Sequence, residues 1–221
     1  MNIHSQTSKP GKRGRPRVDD KRRRILDAAL SVFAERGYHG TAVPLVAEAA
    51  RVGTGTIYRY FASKSELVNE VFRDAKTRLR DALLDELVVE REPEQLFLDL
   101  WTRLVSFARR EPIAFQFLEM QDHVPYLDDE SRAVEMRVLG PVWTWASSLS
   151  EHGKTRDLPV EALIALVWGA LVGLIKAERL GYLTLSDDVL ERAGRACWAA
   201  IARDAPAEAV NRGKPSRPRK R

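Results

Sequence analysis

The residues from Thr41 to Lys64, TAVPLVAEAARVGTGTIYRYFASK, restrict the possible fold more than any other stretch of the chain. Val43, Val46, Ala47 and Ala50 recur at i, i+3, i+4 and i+7, which places them on one face of a helix that must be covered. Gly53 interrupts this pattern, and a second short helix opens at Thr54-Gly55-Thr56, where either threonine is positioned to accept a bond from an unpaired first-turn amide. Ile57 and Phe61, four apart, point inward and leave Thr54, Thr56, Tyr58, Arg59 and Tyr60 nearer the surface. Two readings fit: a helical hairpin with half-buried tyrosines, or a helix-turn-helix whose second helix enters the major groove with its N-terminal residues at the base edges.

The run from Arg24 to Phe72 resembles the N-terminal domain of the TetR family of bacterial transcription regulators. The resemblance is carried by Phe33 to Gly37 followed by Tyr38, by Thr41 and Val43, by the Val46-Ala47 pair, and by Gly55-Thr56-Ile57-Tyr58 with Tyr60-Phe61 and Lys64. Two positions depart from the family pattern. Arg51 stands where a glycine is usual, so the turn is either strained by about 1 kcal/mol or built differently. Ala42 replaces the usual Ser or Thr, so the first short helix must lean on Thr41 for its cap, with Pro44 tolerated in the first turn.

The resemblance implies an all-α chain of about nine helices, with a three-helix DNA-binding domain over residues 19–64 and a larger helical ligand-binding and dimerisation domain over 65–203. The function it implies is a homodimeric repressor, released from a palindromic operator on double-stranded DNA by an apolar or amphipathic small molecule. A DNA-bound architectural or interaction protein that answers no ligand is the alternative. Tyr58, Tyr60 and Lys64 are assigned to phosphates, and Thr54, Thr56 and Arg59 to bases, because phosphate contacts position a protein and base contacts specify the sequence. An enzyme is not indicated, since no glycine-rich phosphate loop, nucleophile elbow or metal-ligand set is present. No cofactor follows from the residues.

Charge is unevenly distributed along the 221 residues: the first 24 sum to +7, residues 204–221 to +4, and the stretch between to −6. Basic ends on an acidic body suit local contact with a polyanion. Residues 1–18 read as a disordered arm in which Arg13-Gly14-Arg15-Pro16-Arg17 resembles an AT-hook core, with Arg15 and Arg17 as minor-groove contacts or simply solubilising charge. Residues 204–221 read as a disordered basic tail. Lys21 to Arg24 could meet phosphates or form a solvated face. One cysteine, Cys197, suits a reducing cytoplasm. The uncharged run Ala162 to Ile175 is shorter than the roughly twenty residues of a membrane span and reads as a buried helix.

Along the rest of the chain, the 3.6-residue period and the Pro and Gly breaks predict helices over 19–37, 63–90, 93–110, 112–122, 128–151, 159–180 and 186–203. The Gly140-Pro141 pair should kink or break the third from last. Aromatic crowding suggests an effector cavity lined by some of Trp101, Leu104, Phe115, Met120 and Trp143, with Gln116 or His123 as the orienting polar group. A core role is the competing account of each. His123 has no companion at metal-ligand spacing. Leu163, Leu166, Ala170 and Leu174 with Gly169 and Gly173, and a second stripe on the last helix, read as a four-helix dimer interface, with an internal core as the competing explanation.

Overall fold

Gly37 adopts a left-handed conformation (φ 67°) that interrupts α1 (Val18–Gly40), the helix against which the next one packs. A computed structural model of the chain describes residues 18–120 and 123–203, and the arm and tail predicted above, Arg15 and Arg17 included, lie outside the described residues. After α1 come α2 (Val43–Ala49), α3 (Thr54–Tyr60), α4 (Lys64–Leu84), α5 (Pro93–Arg110), α6 (Pro112–Met120), α7 (Asp129–Glu151), α8 (Val160–Arg179) and α9 (Asp187–Ile201). The described residues hold no strand, only an isolated antiparallel bridge between Thr155 and Ala202.

These elements form two compact units, the first reaching to Ala75 and taking in Gln116–Ser131, the second comprising Lys76–Phe115 and the chain from Arg132 onward. In the first unit the predicted inward residues Val43, Val46, Ala47, Ala50, Ile57 and Phe61 are all buried, together with Ile25, Ala29 and Phe33 of α1 and Leu67, Val71 and Phe72 of α4. Phe33 also meets Phe117, with ring centroids 6.5 Å apart. The segment after α6 is clasped by polar bonds. Asn69, buried on α4, donates to the Tyr126 carbonyl (2.9 Å) and accepts from the Asp128 amide (3.0 Å), while Gln116 donates to the Ala34 carbonyl (2.9 Å).

Arg73 joins three carboxylates and a hydroxyl in this unit: it lies 2.7 Å from Glu70, 3.1 Å from both Asp128 oxygens and from Ser131 Oγ, and 3.4 Å from Glu130. Burial pushes the Glu70 carboxyl up, but hydrogen bonds from Arg73 and Arg22 outweigh it and hold the group below its ordinary value of 4.5. Asp128 is likewise lowered from 3.8, its burial outweighed by bonds from the Ser131 amide and hydroxyl and from Arg73. Because both folded-state values are depressed, the unfolded chain protonates first as pH falls, and the stabilisation present at neutral pH is lost on going below the ordinary values toward the folded ones. Urea midpoints measured down through this range should fall less steeply for Arg73→Leu than for the wild type; parallel curves would show that the cluster is not a source of acid sensitivity.

In the second unit, Phe97, Trp101 and Val105 of α5 pack with Leu163 and Leu171 of α8 and with Leu185, Leu190 and Ile201. Trp101 donates from Nε1 to the Leu190 carbonyl at 2.8 Å, and a Cβ added at Gly194 on α9 would stand only 2.7 Å from the indole.

Several expectations change. The helix predicted to run to residue 90 ends at Leu84, where Glu86 takes φ 55° and Arg103 donates to the Asp85 carbonyl at 2.7 Å. Gly140-Pro141 does not break α7, which continues through Pro141 as one helix, although a proline nitrogen cannot donate to the carbonyl four residues back. Thr41 does not cap α2: its hydroxyl donates instead to the Gly37 carbonyl at 2.7 Å, and α2 begins with no side-chain cap. Finally, α8 is not buried within its own chain. It is the one helix among the described residues long and apolar enough to cross a membrane, yet only 11% of its apolar stretch is buried. Leu166 is 54% exposed, and nothing lies within 4 Å of a Cβ built at Gly169 or Gly173.

Candidate nucleic-acid interface

Seven residues form α3, and the side chains divide as their spacing requires. Ile57 and the following Phe61 are 1% exposed and fasten the helix to the core of the first unit. Tyr58 is 52% exposed, Arg59 is exposed, and Thr54, Thr56 and Tyr60 are half-buried. The Arg59 guanidinium lies 5.5 Å from the Tyr60 ring centroid, close enough for a cation–π contact that holds it at the surface. The N-cap is Gly53, and no side chain caps this end, so neither threonine is used as the cap the sequence offered. Their hydroxyls stay available to a partner at the leading end of the helix. This is the arrangement of a reading helix: two apolar anchors behind, and aromatic, basic and hydroxyl groups in front.

Lys64 differs from its simplest assignment. Its ammonium donates to the Tyr38 carbonyl (2.9 Å) and the Thr41 carbonyl (3.1 Å) and sits 4.1 Å from the Tyr38 ring centroid. An ammonium has three donors, so one N–H is uncommitted while the other two pin α4 to the end of α1 and the residue that follows it. The start of α4 is further fixed by a reciprocal cap, the Glu66 amide donating to Ser63 Oγ at 3.0 Å and the Glu66 carboxylate accepting from the Ala62 amide at 2.5 Å. The basic run at the start of α1 is mostly committed to its own chain. Arg22 bonds Glu70, Arg23 bonds Asp74 and Asp27, and Arg24 donates to the Ala50 carbonyl at 2.7 Å; Lys21 has no side-chain partner among the described residues. Tyr38 escaped the sequence reading as a structural hub. It stacks on Tyr126 at 4.4 Å, and only the aromatic character of both positions hinted at it.

Most of the seven residues proposed to line an effector cavity are engaged within their own unit. Trp101 belongs to the core, its polar edge satisfied by Leu190. Leu104 packs against that core, Phe115 is buried 6.5 Å from the Trp168 ring, and Trp143 is exposed. Gln116 spends its amide on Ala34 in the first unit. His123, also in that unit, faces the Phe117 carbonyl through Nε2 (2.7 Å) and the Tyr126 hydroxyl through Nδ1 (2.6 Å), so the neutral ring donates from the first and accepts at the second. The side chain of Met120 lies outside the described residues. A groove of about 840 Å³ does occur in the second unit, between the start of α5, the residues after α7 and the end of α9; Leu98 and Trp198 give it an apolar wall, and Glu94, Lys154 and Arg203 charge its rim. It contains none of the seven. No group of His, Cys, Asp and Glu suited to a metal ion occurs among the described residues.

The first unit therefore places this chain among the helix-turn-helix DNA-binding proteins. Residues 25–71 match the model of the bacterial regulatory proteins of the tetR family, and residues 72–203 match the tetracyclin repressor-like C-terminal domain. The chain belongs to the TetR family of bacterial transcription regulators. The HTH-type transcriptional regulator YhgD of Bacillus subtilis (strain 168) is 47% identical over 53 residues, 24% of this chain and 28% of that one. The HTH-type transcriptional regulator BetI of Escherichia coli is 39% identical over 67 residues, 30% of this chain and 34% of that one. The chain thus spans about a third of the length of these curated relatives. Among solved structures, a TetR-family protein from Vibrio parahaemolyticus superposes with TM-score 0.67 at 28% identity, covering 83% of this chain and all of the other. A TetR-family regulator from Marinobacter aquaeolei VT8 shares the fold with TM-score 0.75 at 24% identity, covering 84% and 97%.

Proposed function

We propose that the protein works as a cytoplasmic homodimeric repressor whose paired α3 helices hold a palindromic operator and release it when an apolar or amphipathic effector binds. The observation that carries this reading is the division of α3, with Ile57 and Phe61 locked inward and Thr54, Thr56, Tyr58 and Arg59 turned outward. Tyr58, Tyr60 and the remaining N–H of Lys64 hold phosphates and set the register; Thr54, Thr56 and Arg59 read bases. The uncovered apolar face of α8 supports dimerisation, since such a face on a DNA-binding chain needs a partner and a two-fold axis supplies the second reading helix. Arg15 and Arg17 would add minor-groove contacts from the arm. No catalytic step, cofactor, metal or membrane enters this function.

Release requires an effector that favours the conformation with misplaced reading helices; about 3 kcal/mol of coupling changes affinity more than a hundredfold. The groove near Trp198 has the chemistry for an amphipathic molecule. The indole N–H of Trp101, spent on the Leu190 carbonyl inside the core, and the amide of Gln116, spent on Ala34, favour the second reading, a DNA-bound protein that answers no ligand.

Footprinting on DNA flanking the protein's own gene tests the main claim. A symmetric protected site is expected, with affinity falling steeply as salt rises, and Arg59→Ala should lose roughly 1–3 kcal/mol and relax preference at one base pair of each half-site. Protection without symmetry, or none at all, would refute the dimeric repressor. Challenge of the protected complex with apolar and amphipathic metabolites then separates the two readings, because the ligand-independent protein stays bound to all of them.

A further inference from the structure

Among the described residues, three helices end in the same hydrogen-bonded turn, and one of them ends in the wrong residue for it. After α8, the Gly181 amide donates to the Glu178 carbonyl and the Tyr182 amide to the Ala177 carbonyl (2.9 and 3.0 Å), with Gly181 at φ 75°. After α7, Gly153 donates to Ser150 and Lys154 to Leu149 (2.9 Å each), with Gly153 at φ 64°. After α2, Arg51 donates to Glu48 and Val52 to Ala47 (3.0 and 2.9 Å), and Arg51 stands at φ 55°. These are Schellman turns, whose left-handed residue is ordinarily glycine because a Cβ is strained there.

The chain thus accepts at position 51 a strain it avoids at the two matching positions. The only other non-glycine residue with positive φ among those described is Glu86, whose loop is held by Arg103 bonds to the Asp85 carbonyl (2.7 Å) and the Leu83 carbonyl (3.4 Å). Arg51 has no comparable structural use: its side chain is exposed and makes no hydrogen bond or ion pair with the described residues. What distinguishes it is its place, three residues ahead of the first residue of α3. A reading helix enters the major groove N-terminus first, and that groove is only about 12 Å wide between phosphate walls. An arginine at the base of the helix has the reach to meet one wall, and local strain of this kind collects at positions where function holds it.

We propose that Arg51 is a phosphate-contacting residue, which sets the depth and tilt of α3 in the groove without reading sequence. This rests on the DNA-binding function proposed above. The test compares wild type, Arg51→Gly and Arg51→Lys on a duplex of the footprinted sequence and on a scrambled duplex of equal length, over a range of salt concentrations, with melting temperatures measured in parallel. Arg51→Gly should melt slightly higher than wild type, because the relieved left-handed strain exceeds the chain entropy that glycine adds. It should nevertheless bind both duplexes about tenfold more weakly and with a salt dependence shallower by about one counterion per reading helix. Arg51→Lys should restore the salt dependence. Wild-type affinity and salt dependence in Arg51→Gly would overturn the proposal while leaving the regulator reading intact; failure of the wild type to bind either duplex would overturn both.

Discussion

Gly194→Ala should lower the melting temperature of the purified protein by roughly 2 to 12 °C, a large effect for one methyl group. The added Cβ would stand 2.7 Å from Trp101 Cδ1, 2.9 Å from Nε1 and 3.0 Å from Cγ, so a rigid indole would have to move. It has little freedom to do so. Its Nε1 is bonded to the Leu190 carbonyl at 2.8 Å, Phe97 lies alongside with centroids 6.4 Å apart, and Val105 and Leu185 share the same cluster. Any shift that relieves the clash stretches the bond or opens a void, and overpacking of this kind costs about 1–3 kcal/mol, sometimes more. Thermal unfolding followed by tryptophan fluorescence measures it. An unchanged melting temperature would mean that α5 and α9 separate freely, contrary to the packing described.

The second large effect is expected on the uncovered face of α8. Leu166→Glu should convert the dimer into a monomer at micromolar concentration and weaken operator binding by at least about a hundredfold, because two tethered reading helices act together and one alone does not. Leu166 is exposed in the single chain, so the substitution leaves the monomer's core intact. In a dimer it would place a carboxylate from each subunit in a closely packed apolar contact, where an unpaired charge costs several kcal/mol. Gly169 and Gly173, with open space around them, allow the backbones to approach there. Sedimentation equilibrium with operator titration tests this, and a variant that remains dimeric would move the interface elsewhere.

The helices were largely legible in the order of residues because Pro93, Pro112, Gly153 and Gly181 mark their ends, and because burial at i, i+3 and i+4 leaves a local trace. The inward pair Ile57 and Phe61 was readable for the same reason. The overrun of α4 has the opposite cause. Its end is made by Glu86 in a left-handed conformation, and no glycine or proline before Pro93 advertises it. The engaged amide of Gln116 and the engaged ammonium of Lys64 share another cause. Gln116 with Ala34 and Lys64 with Tyr38 are meetings of residues far apart in sequence, set by tertiary packing that leaves no periodic signal.

The clasp of Asn69 on the backbone of Tyr126 and Asp128 has a consequence for how the molecule is made. The part that would grip DNA is assembled from two lengths of polypeptide with forty residues of a different unit between them. During synthesis its first four helices emerge early, but Phe117, His123 and Tyr126 are still inside the ribosome at that stage, and the pocket of aromatic rings they fill around Phe33 and Phe72 stays open. The nascent reading head reaches its finished form only after Ser131 has been added.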